Sequence, residues 1–90
     1  MIKKEFEMFD SMGLHARPAS LLTKKASSYG ADIKIEYKTK EINAKSIMGV
    51  MALGVCKGEI FSIIVDGDDE ETIIEALTDT LRENKLIYEL

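Results

Sequence analysis

Two short stretches of the chain hold the side chains best suited to chemistry. The first is Gly13-Leu14-His15-Ala16-Arg17-Pro18-Ala19-Ser20, which contains the only histidine of the sequence. A neutral imidazole is nucleophilic near pH 7, and a phosphoryl group attached to it stays labile. Arg17, two residues on, offers a planar fork of N–H donors that matches phosphate oxygens. Pro18 is tolerated in the first turn of a helix, so it puts a helix start beside His15. The amides of Ala16 and Arg17 then point out of the positive end of that helix, where an anion binds readily. Gly13 frees the backbone for a sharp entry. Two readings fit these residues: a histidine that carries phosphate, or one that only caps the helix. Metal binding is disfavoured, because there is no second histidine and the single cysteine, Cys56, is far away in sequence.

The second stretch begins at Ser46, a good N-cap for a short apolar helix over Ile47 to Leu53 that Gly54 ends. Ile47, Met48, Val50, Met51, Ala52 and Leu53 leave that helix almost no polar side, and a domain this small cannot bury every face of it. Val50 and Leu53 are expected inside. Ile47, Met48 and Met51 are candidates for an exposed docking surface, with Met12 joining from the loop before His15. Lys24 and Lys45 are candidate cationic contacts at its rim.

The elements that must position these residues follow from periodicity. Ile2, Phe6 and Met8 alternate with Lys3, Glu5 and Glu7, which predicts a half-buried strand over Ile2 to Met8. Asp10-Ser11-Met12-Gly13 is a turn. From Ala16 the spacing of Pro18, Leu22, Ala26 and Tyr29 is helical, with Gly30 as the expected C-cap. Ile33, Ile35 and Tyr37 predict a second strand, and Lys38-Thr39-Lys40 a hairpin into a short third strand over Glu41 to Ala44. Ile60 to Val65 is apolar on both faces, as a central strand should be. Asp68 and Glu71 form a capping-box pattern for a last helix lined by Ile73, Ile74, Leu77 and Leu81. Cys56 reads as a small buried or half-buried hydrophobe. The apolar tail Leu86 to Leu90 is expected to pack back. The order is β-α-β-β-α-β-α, an α+β arrangement with helices layered on one face of a sheet.

Composition narrows the function classes. Ninety residues suit a single domain spanning residues 1–90, with no room for a large enclosed substrate pocket. A formal charge of −4 argues against gripping nucleic-acid backbones directly. No apolar run is long enough to span a bilayer, and the charged first residues do not resemble a secretion signal. One cysteine cannot form an internal disulfide, which fits the cytoplasm. Chemistry is expected at the surface, with a protein as the other party.

Residues 13–20 resemble the active-site signature of HPr, the histidine-containing phosphocarrier of the bacterial sugar phosphotransferase system. Asn43-Ala44-Lys45-Ser46-Ile47-Met48-Gly49-Val50-Met51-Ala52-Leu53-Gly54 resembles the family's second signature, around its regulatory serine, at the family's separation. The resemblance covers essentially the whole chain. It implies an open-faced β-sandwich of HPr type, with three helices on one face of a four-stranded antiparallel sheet. It implies that His15 accepts a phosphoryl group at Nδ1 from phospho-enzyme I and passes it to sugar-specific IIA domains. Arg17 and the Ala16 and Arg17 amides would hold the group in transit, with no cofactor. It further implies that Ser46 is phosphorylated by HPr kinase/phosphorylase, which makes a poor acceptor and a corepressor for the catabolite control protein. Transient partners favour a monomer.

Met12 departs from the family's usual residue, and Ser20 stands where threonine is common. A purely regulatory paralogue lacks the histidine that is present here. A carrier of a nitrogen-regulatory phosphotransferase chain stays open as the alternative, although the surroundings of Ser46 favour the sugar branch. A small histidine-dependent phosphatase would need a second acid or base near His15, and none is evident in the neighbouring sequence.

Overall fold

The alternating segments pair into one antiparallel sheet in the computed structural model, which describes residues 1–90. Strands β1 (Ile2–Met8), β2 (Asp32–Tyr37), β3 (Lys40–Asn43), β4 (Ile60–Asp66) and β5 (Ile87–Glu89) lie in the order β3-β2-β4-β1-β5. Helices α1 (Ala16–Ser27), α2 (Ile47–Ala52) and α3 (Glu70–Glu83) cover one face, giving an α+β open-faced sandwich. The register sets Phe6 opposite Phe61, Ile35 opposite Ile63 and Ile33 opposite Val65, and these side chains meet the helices. Leu22 and Ala26 of α1, Val50 of α2 and Leu77 and Leu81 of α3 close the core from above. On the other face Lys3, Glu5, Lys34 and Glu36 flank Ser62 and Ile64 of the central strand. Flanked by Lys3 and Lys34, Ile64 is buried on this nominally open face.

The sheet has five strands, one more than the four the resemblance implies. The extra strand is the apolar tail. Lys85 takes a left-handed φ of 55°, which reverses the chain after α3 and buries Leu86. Tyr88 and Glu89 then pair with Glu7 and Phe6. Glu89 fixes this strand through Lys4 at 3.0 Å and Arg82 at 2.8 Å.

Three local expectations are corrected. Gly30 is not the cap of α1: the helix ends at Ser28 in a right-handed conformation, its hydroxyl donating to the Lys25 carbonyl at 2.6 Å. The capping box at α3 does not form, because Asp69 is the N-cap and its side chain makes no cap bond. The nearby acid that engages is Glu70, which accepts from the Gly67 amide at 3.3 Å and pairs with the terminal ammonium at 2.8 Å. Cys56 is exposed, because Val55 takes the inward place and the next residue faces outward. Its Sγ lies 3.3 Å from the Gly54 carbonyl. The β2–β3 turn is a two-residue hairpin in which Lys38 and Thr39 have φ of 50° and 68°, the signs a type I′ turn needs.

Candidate functional site

His15 is the N-cap of α1, with an extended backbone (φ −81°, ψ −168°) and no side-chain cap bond. Its backbone carbonyl accepts from Ala19, which starts the helical ladder, while its ring stays free of capping. Pro18 in the first turn has no N–H to offer, so the Ala16 and Arg17 amides are the unpaired donors at this end. Both residues are exposed. The Arg17 guanidinium forms no ion pair or hydrogen bond within the chain, which leaves its whole fork for an incoming anion. The histidine side chain is 28% exposed, and no group of the chain bonds to Nδ1. An unbonded ring nitrogen, two free amides and an unpaired guanidinium are therefore carried by three consecutive residues at the start of α1.

Two backbone contacts set the approach of the loop. Gly13 has φ of +68°, and a Cβ there would stand 2.2 Å from the Val55 carbonyl oxygen. That carbonyl accepts from Leu14 at 2.9 Å, and buried Leu14 anchors the loop in the core one residue before His15.

An acid stands beside the ring after all. Asp10 Oδ1 is 3.6 Å from His15 Nε2, an ion-pair distance and not a hydrogen bond. The same oxygen accepts from the Met12 amide at 2.9 Å. The sequence holds a weak signal for it, since an aspartate opening a turn often folds its side chain back onto the backbone two residues on.

Ser46 is exposed and caps α2, its hydroxyl accepting from the Gly49 amide at 3.2 Å. Val50 is fully buried beneath this helix and Leu53 is half-buried. Ile47, Met48 and Met51 are exposed, Met48 to 78%, and Met12 on the loop before α1 is exposed to 74%. Helices α1 and α2 pack against each other, so the apolar residues of α2 and the His15 end of α1 belong to neighbouring elements. Lys24 is exposed on α1. Lys45 is partly occupied, its ammonium donating to the Tyr29 carbonyl at 2.7 Å.

No cleft of the molecule is lined by His15, Arg17 or Ser46. The largest, about 440 Å³, is lined by Tyr29 to Asp32 and Asp66 to Asp69 with Ile73 and includes no residue of this site. No group of three or more histidine, cysteine, aspartate or glutamate side chains converges as a metal site would require. No helix is long and apolar enough to cross a membrane. The arrangement suits a group exchanged with a visiting macromolecule better than a small substrate held in a pocket.

Comparison with known proteins agrees with that geometry. Residues 2–83 match the family model described as the PTS HPr component phosphorylation site. The structure is similar to the histidine-containing phosphocarrier protein of a Mycoplasma, at 41% identity and a TM-score of 0.92, covering 96% of this chain and 98% of that one. HPr from Thermoanaerobacter tengcongensis is 46% identical with a TM-score of 0.86, covering 94% of each chain. Crh, the catabolite repression protein of Bacillus subtilis, described as a swapped dimer, is 37% identical with a TM-score of 0.71. That match covers 92% of this chain and 95% of Crh.

Proposed function

The chain belongs to the HPr family of phosphotransferase-system carriers, and from that premise we propose that its ninety residues act as one module that accepts a phosphoryl group on His15 Nδ1 from phospho-enzyme I. It passes the group to histidines of sugar-specific IIA domains. The observation that carries this reading is the partly exposed ring with an unbonded Nδ1 at the helix start that also bears the unpaired Arg17 fork and the two free amides. Arg17 neutralises the transferring oxygens, and the amides orient them. Because the group must leave again, the site works by positioning at the transition state and not by holding the product tightly. No cofactor takes part. Met12, Ile47, Met48 and Met51 supply an adaptable apolar contact for more than one partner, and Lys24 adds charge at its rim. The module acts in the cytoplasm as a monomer.

Ser46 is the regulatory counterpart, the target of HPr kinase/phosphorylase. Phosphorylation there adds roughly −1.5 to −2 charge at a helix N-terminus, where it leaves α2 intact. It sets a like charge against an acidic or phosphorylated partner, and the modified form serves the catabolite control protein. A mainly regulatory role like that implied by the name of Crh would leave the geometry around His15 without a use.

The test is intact-mass analysis after incubation with phosphoenolpyruvate and enzyme I. One added phosphate on the native protein and on Ser46→Ala, but none on His15→Ala, supports the reading. A gain that survives His15→Ala contradicts it.

A further inference from the structure

Asp10 lies in the turn after β1 and is held there from two directions. Its carboxylate accepts from the Met12 amide at 2.9 Å, and its backbone carbonyl accepts from Gly13 at the same distance. The carboxylate is 18% exposed and pairs with no lysine or arginine, its one ionic neighbour being His15 Nε2 at 3.6 Å. It therefore faces one nitrogen of the ring while the other is left unbonded.

We propose that Asp10 is a positioning residue for phosphoryl transfer, holding the ring proton on Nε2 and balancing the charge the ring gains when Nδ1 is phosphorylated. The proposal rests on the carrier reading of His15. In the transfer, the Nδ1 lone pair forms a bond to phosphorus, and the bond from phosphorus to the donor's histidine nitrogen breaks with its electron pair left on that nitrogen. The proton on Nε2 stays, so the phosphorylated ring is an imidazolium. A movement of less than an ångström brings Nε2–H into a charge-assisted hydrogen bond with Asp10, whose usual length is roughly 2.7–2.9 Å. On the onward step the same proton lets the ring depart as a neutral imidazole. The carboxylate thus acts most strongly when the ring is charged, which is the differential interaction that transfer requires. Carboxylates that orient a metal-bound imidazole change affinity or activity by roughly 10–100-fold, which sets the scale expected of Asp10.

The sole histidine makes the test direct. In protein labelled with ¹⁵N-histidine, the ring shifts of the neutral form report where the proton sits. The native protein should show the Nε2–H tautomer in excess over Asp10→Ala. Asp10→Asn retains an oxygen for Met12 and for the ring but lacks the charge. It should keep the tautomer and the melting temperature while accepting phosphate from phospho-enzyme I about tenfold or more slowly, with KM for the carrier little changed. Transfer to Asp10→Asn at the native rate, or a native tautomer balance equal to that of Asp10→Ala, overturns the role of Asp10. Failure of the native protein to accept phosphate overturns the carrier reading itself, and the proposal with it.

Discussion

Replacing Gly13 by alanine tests how the loop is anchored, and the structure sets the size of the effect. A left-handed φ of +68° costs a residue with a Cβ roughly 1–2 kcal/mol. The new methyl group would also stand 2.2 Å from the Val55 oxygen, a backbone atom that cannot rotate away. Relief requires the loop to lift, which breaks the 2.9 Å bond from Leu14 to that oxygen and strands a donor at a buried residue. An unsatisfied buried donor costs about 1–3 kcal/mol, so the whole effect is about 2–5 kcal/mol. Gly54 is the internal control, because its φ of +70° is nearly the same but its Cβ position is open. Gly54→Ala should cost only the dihedral penalty, roughly 1–2 kcal/mol. Thermal unfolding followed by circular dichroism measures both variants, and each kcal/mol corresponds to about 4–8 °C in a domain of this size. The Gly13→Ala protein should also accept phosphate more slowly, since the same loop carries Asp10 and His15. Equal stability losses in the two variants would refute the anchoring argument.

Other outcomes follow from single contacts. Ser46→Ala removes the bond to the Gly49 amide and should destabilise by about 1 kcal/mol, whereas Ser46→Asp keeps a cap and should melt near the native temperature while accepting phosphate poorly. Equal phosphate acceptance by Ser46→Asp and the native protein would count against the regulatory reading. Thr39→Gly relieves a left-handed, β-branched residue in the β2–β3 turn while leaving the Lys38–Glu59 pair in place, and should stabilise by about 0.4–1 kcal/mol in the same unfolding assay. The Tyr37 hydroxyl, the Cys56 amide and Lys38 hold the Glu59 carboxyl down to about 2. A depressed carboxyl contributes its stability above the ordinary value of roughly 4.3, and the contribution disappears as pH falls through the folded value. Glu59→Gln should therefore lower the urea midpoint at neutral pH and flatten its decline between roughly pH 4.5 and 2.

Much of the frame was legible because burial leaves a period in the sequence. Alternation marked β1 and β2, and the apolar run of β4 followed from its place at the centre of the sheet, between β2 and β1. The helix at His15 was readable from Pro18, and Ser46 from its place before an apolar run. What escaped depended on contacts between distant segments. The fifth strand has three residues, too few for a period, and is fixed by Glu89 meeting Lys4 and Arg82. The choice of Glu70 at the start of α3 was set by the terminal ammonium, which no local spacing encodes. Cys56 is apolar enough to suggest burial, yet Val55 beside it fills the inward place. Asp10 reads locally as a turn former, and only the fold of the loop brings it to the ring of His15.

The most direct measurement locates the phosphoryl group on the ring. Protein labelled with ¹⁵N at its one histidine is phosphorylated by enzyme I and phosphoenolpyruvate and observed by ¹⁵N and ³¹P NMR. A one-bond phosphorus coupling to Nδ1, with a proton retained on Nε2, is the predicted result. Coupling to Nε2, the nitrogen that faces Asp10, or phosphate bound to the protein with no coupling to either ring nitrogen, would contradict the account.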